Sequence, residues 1–127
     1  VTEKIAVLCP REAVSLSMPA IYSAGGDGPR GERPAMAEDA VEEIVVCLAA
    51  IEAAWSAGEF RRLSSTLASV AGLARATGLP DVARVADSAL ELVKGHDDVA
   101  LAAVVARLVR LGEASLATLL EISYRQL

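Results

Sequence analysis

Aromatic side chains are scarce in this chain: one Trp, one Phe and two Tyr among 127 residues, or 3%. Sheet sandwiches draw much of their packing from aromatic and β-branched residues, so the scarcity argues against an all-β fold. Cysteine is nearly absent as well. Cys9 and Cys47 lie in different segments with no second ligand pair beside either, which excludes a zinc set and a disulfide framework and leaves two reduced thiols, Cys47 in the core. Positive charge is not in excess. The formal net charge is -5, so there is no basic footprint with which to hold a phosphate backbone or an anionic lipid surface. Long apolar runs are missing too: residues 44–50 form a typical one, far below the roughly 20 residues that a bilayer span needs. Neither nucleic acid nor membrane is expected as a partner. In VTEKIAVLCPREAVSL, Glu3, Arg11 and Glu12 surround a very short apolar run, a poor match to a secretory leader, and the expected location is cytoplasmic.

What the chain has in plenty is Ala, Leu and Val, which supply most of its 54% hydrophobic content. These residues suit closely packed helices. The length is that of one domain with a tail. The stretch SAGGDGPRGERPA, residues 23–35, mixes Gly, Pro and charge without periodicity and reads as a linker. Residues 1–35 are therefore an N-terminal extension plus linker, and residues 36–127 the domain. Upstream of the linker, Pro10 and Pro19 divide an apolar segment into pieces too short to be stable alone.

From Met36 the apolar spacing becomes helical. A first helix is predicted over 37–57 with Val41, Ile44, Val45, Leu48, Ile51 and Trp55 on its inner face, and with Glu38, Asp39, Glu42 and Glu43 in the opening turns, where the helix dipole favours negative charge. Those carboxylates read as dipole partners, not as a metal cluster. Gly58 stops this helix. Phe60, Leu63, Leu67, Val70 and Ala74 define the inner face of a second, which ends at Gly78. Pro80 opens a third, with Val82, Ala86, Ala89, Leu90 and Val93 inward, and Gly95 ends it. Asp97 or Asp98 caps a fourth, whose stripe runs from Leu101 through Val104, Val105, Leu108, Leu111 and Leu119 to Ile122, with a kink foreseen at Gly112. Short turns make neighbours antiparallel. The expected fold is all-α, an up-down-up-down antiparallel four-helix bundle with an N-terminal extension.

The stretch Ala68-Ser69-Val70-Ala71-Gly72, followed six residues on by Gly78, carries a specific likeness. It resembles the His-x-Leu-Lys-Gly segment of bacterial histidine phosphotransfer (HPt) domains, four-helix bundles that shuttle phosphoryl groups in two-component phosphorelays. Both glycines and an apolar residue at Val70 are kept. Leu90-Glu91 and Gly95-His96-Asp97 look like the family's Leu-Glu pair and the turn before its last helix. The resemblance covers about residues 37–122 and implies a degenerate member, because Ala68 stands at the phospho-acceptor position and Ala71 at the usual basic one.

Attack on an aspartyl phosphate needs an exposed imidazole lone pair and nearby groups that steady the transferring oxygens. A methyl group at Ala68 supplies neither. His96, the only histidine, belongs to the turn before the last helix and reads as a solvated turn residue. Ser64, Ser65, Thr66 and Ser69 cluster near the vacant position, but hydroxyls without a positioned base are weak nucleophiles and read as helix-surface groups. No catalytic residue, metal or cofactor is expected, and the chain is not expected to be an enzyme.

What the resemblance leaves is a docking surface. Ala71, Gly72, Arg75 and Arg61 are the candidate contacts around the vacant Ala68. Arg61, Arg62 and Arg75 less Glu59 give the second helix a local charge of +2, suited to the acidic pocket of a response-regulator receiver domain. Pairing of these arginines with the acids of the first helix is an equal alternative. The expected function is a non-catalytic HPt-like signalling domain that binds a receiver or histidine kinase without accepting phosphate. The alternative is a structural bundle that forms homo-oligomers through its N-terminal segment.

Overall fold

The computed structural model describes residues 33–125; residues 1–32, and with them nearly all of the expected extension, lie outside the described part. Four helices follow in order: α1 (Arg33–Ala57), α2 (Phe60–Thr77), α3 (Pro80–Lys94) and α4 (Asp98–Arg125). No strand occurs among the described residues. Each helix packs on its chain neighbours, and α1 closes the ring against α4 over the smallest of the four contacts. The fold is an all-α, up-down-up-down four-helix bundle.

The turns come from local chemistry. Gly78 ends α2 at φ 82°, and its N–H donates to the Ala74 carbonyl. The Leu79 N–H donates to the same oxygen at 2.8 Å while its side chain is 1% exposed, so one carbonyl anchors the reversal and an apolar contact closes it. Pro80 then occupies the first turn of α3, where an absent N–H leaves nothing unpaired. Gly58, at φ 69°, does the corresponding work between α1 and α2. Before α4, Asp97 is the cap of the two acids considered: its Oδ1 accepts from the Ala100 N–H at 3.1 Å.

The core is aliphatic. Ile44, Ile51, Leu63, Leu67, Leu101 and Leu108 are all at 1% exposure or below, and each contributes about 1.5–3 kcal/mol of burial free energy. Trp55 is half-buried at the edge, edge-on to Phe60 with ring centroids 6.4 Å apart.

Several expectations need correction. α1 starts at Arg33, inside the stretch read as linker, so its first turn carries no acid; Glu38, Asp39, Glu42 and Glu43 lie one to two turns further in. Val45 is 50% exposed and Phe60 43%. Ala54, outside the expected inner face, is buried at 1% exposure. α4 is continuous through Gly112, and the glycine there permits close approach: a Cβ would stand 2.6 Å from Leu48 Cδ1. Among the described residues, no helix is long and apolar enough to cross a membrane.

Candidate functional site

The inner face of α2 is fixed by Leu63, Leu67, Val70, Ala71 and Ala74, all buried. With these turned inward, 100° per residue carries Arg61, Ala68, Gly72 and Arg75 onto one outward stripe, and all four are exposed. Ala68 lies eight residues into the helix, about 12 Å from its start. Gly72 follows one turn later on the same face, and apart from its own stretch of helix no heavy atom lies within 4 Å of the position its Cβ would occupy.

Ala71 does not belong to this surface. At 2% exposure it is part of the core, because it lies one turn after Leu67 and one before Ala74 and follows them inward. It is removed from the docking residues, and a basic side chain at this position would be buried in the bundle.

The arginines have partners other than the acids of α1. Arg75 pairs with Asp87 of α3 across the α2–α3 contact. Arg62 pairs with Glu59 at the start of its own helix, at 3.5 Å. Arg61, in contrast, forms no ion pair with any described residue. The +2 charge of α2 is thus partly neutralised, and the cation free to meet an incoming acid is at the Arg61 end. Asp87 went unnoticed in the sequence because the pairing joins two helices and has no i,i+4 signature.

Two of the four hydroxyls near Ala68 are engaged with the helix itself. Thr66 Oγ1 donates to the Arg62 carbonyl at 2.9 Å, and Ser69 Oγ donates to that of Ser65 at 3.1 Å. Such back-bonding is the ordinary state of helix-surface hydroxyls. His96 is exposed in the α3–α4 turn with φ 57°. That turn lies at the end of the bundle where α2 begins, so the imidazole is separated from Ala68 by the length of two helical turns.

No family model, curated protein or solved structure matches this chain. The resemblance to HPt domains therefore rests on the residues quoted from the chain itself. What the arrangement offers chemically is recognition: a shallow strip of small side chains, Ala68 and Gly72, with Arg61 at one end and an Arg75–Asp87 pair at the other.

Proposed function

We propose that this chain is a non-catalytic, HPt-like signalling module that binds a response-regulator receiver domain or a histidine kinase without accepting phosphate. Gly72 carries the reading. A glycine inside a helix costs about 1 kcal/mol relative to alanine. Three other described glycines answer a local need. Gly58 and Gly78 adopt positive φ and Gly112 stands against Leu48, while Gly95 ends α3 at φ -81° outside the helix body. Gly72 has helical backbone, open space around it and no such need within the fold. A partner that comes close to the helix backbone would supply the reason, and Ala68 and Arg61 on the same face extend the surface it would meet.

The module would act by occupancy. Covering the acidic pocket of a receiver blocks access by a true phosphotransfer domain, and differential affinity for the partner's two states would shift their populations. A second reading, a structural or oligomerisation bundle with no phosphorelay role, is favoured by the exposure of Val45 and Val46 on α1, 50% and 67%.

The test is incubation of the full chain with a panel of receiver domains, scoring complex formation and transfer of labelled phosphate. Binding without labelling is expected, lost in Gly72→Trp while the helical content of the variant is unchanged. Labelling would overturn the non-catalytic assignment. Absence of both, across the panel, would overturn the relay reading and leave the structural one.

A further inference from the structure

α1 differs from the other helices in what it shows to solvent. α2 presents arginines and hydroxyls on its outer side, whereas α1 exposes Val45, Val46, Ala49 and Ala53 between its acids. One flank of this surface, through Val45, Ala49 and Ser56, turns toward α4. The α1–α4 contact is the slightest in the bundle, and a cleft of about 320 Å³ opens there between Trp55 and Ser56 on one side and Ala102, Val105, Ala106 and Val109 on the other. Leu120, 39% exposed, continues the α4 wall. Glu52 stands on the rim. Apart from Glu52 and Ser56 the lining is apolar, Trp55 on the α1 side and valines and alanines on the α4 side, a composition suited to an apolar peptide segment.

We propose that this groove is occupied by the chain's own N-terminal segment, residues 5–22. That segment contains Ile5, Val7, Leu8, Val14, Leu16, Met18 and Ile21, and its two charges, Arg11 and Glu12, cancel. It joins the bundle at the N-terminus of α1, the helix that carries the uncovered apolar surface. The ten residues 23–32 reach at most about 36 Å when extended. Val45 lies about 18 Å along α1 from Arg33, and Trp55 about 33 Å. The whole groove is thus within reach. A tethered segment acts at an effective concentration of roughly millimolar order, so a modest apolar contact suffices to fill the groove without a second molecule. This inference concerns a surface separate from the α2 stripe and stands or falls independently of the signalling reading.

Trp55 is the only tryptophan, and its place in the cleft makes its emission a direct report. In the full chain, Leu8→Asp combined with Leu16→Asp should shift that emission to the red and raise its quenching by acrylamide, with helical content and monomer mass unchanged. Unchanged emission and quenching would overturn the proposal. Shielding of Trp55 in the unsubstituted chain that weakens on dilution, alongside a dimer in sedimentation, would overturn it in favour of a second copy. A further variant, Ala106→Cys with Cys47→Ser, should form on mild oxidation an intramolecular bond between Cys9 and the introduced thiol, read from the intact mass. Failure to close this bond, or closure only between chains, would count against the segment.

Discussion

Leu48 and Gly112 meet where α1 crosses α4, and the contact depends on the missing side chain: a Cβ on Gly112 would stand 2.6 Å from Leu48 Cδ1 and 3.1 Å from Cδ2. Two effects oppose each other on Gly112→Ala. Helix propensity favours alanine by about 1 kcal/mol. Overpacking against a leucine that is only 5% exposed costs about 1–3 kcal/mol. The steric effect prevails, so Gly112→Ala should lower stability by about 1 kcal/mol. In the Leu48→Ala background the clash is gone, and the same substitution should be neutral or stabilising. Urea unfolding of the four members of this cycle measures the coupling; additivity would show that α1 and α4 do not press together at this point.

Local signals in the sequence were the reliable ones. Gly58, Gly78 and Pro80 fix turns through their own backbone chemistry and Asp97 caps α4 through its carboxylate, and the structure places all four in those roles. The faces of α2 and α3 were readable because polar residues alternate with their apolar stripes at helical spacing. α1 was harder. Apolar side chains occur on all its sides, so Val45 and Ala54 were indistinguishable as inward candidates from spacing alone. Ala71 failed for a related reason: alanine is at home inside and outside, and the likeness to a family motif carried no information on its direction. The Arg75–Asp87 pair, between residues on different helices, required the fold.

Gly72 lies inside α2 and Gly78 just past its end, and the two should respond oppositely to alanine. At Gly78 the backbone has φ 82°, and a Cβ in that conformation costs about 1–2 kcal/mol. Gly72 has helical backbone and open surroundings, so Gly72→Ala should stabilise the bundle by about 1 kcal/mol. Thermal melts of the two variants test the pair. If Gly72→Ala were destabilising, the glycine would serve the fold, and the case for a docking surface would lose its main support.

Cys47 should be a sluggish thiol. Burial first, and then the Glu43 carboxylate, push its pKa above the ordinary 9.0. In the unfolded chain the thiol ionises near that ordinary value while the folded chain still holds the proton. The stabilisation is therefore complete below it and is lost as pH rises through the folded value. In a Cys9→Ser variant, iodoacetamide should alkylate folded Cys47 more slowly than the urea-unfolded chain at neutral pH. Glu43→Gln should move the folded rate profile toward lower pH. A profile indifferent to that substitution would remove Glu43 as a cause.

Asp87 restrains the arginine nearest the Gly72 face. Both side chains of the Arg75–Asp87 pair are about half exposed, 57% and 47%, so solvent screens them and the pair contributes about 0–1 kcal/mol to stability. Asp87→Asn should therefore leave the melting temperature nearly unchanged. Its effect on binding should be larger. Removing the carboxylate releases Arg75 and adds one positive charge beside Ala68 and Gly72, which speeds encounter with an acidic receiver pocket and steepens the fall of that rate with salt. Arg75→Ala should act in the opposite sense. Association rates for a receiver that binds the unsubstituted chain, taken at two ionic strengths, decide the matter: equal rates for Asp87→Asn and the unsubstituted chain at both would place the contact elsewhere than on this stripe of α2.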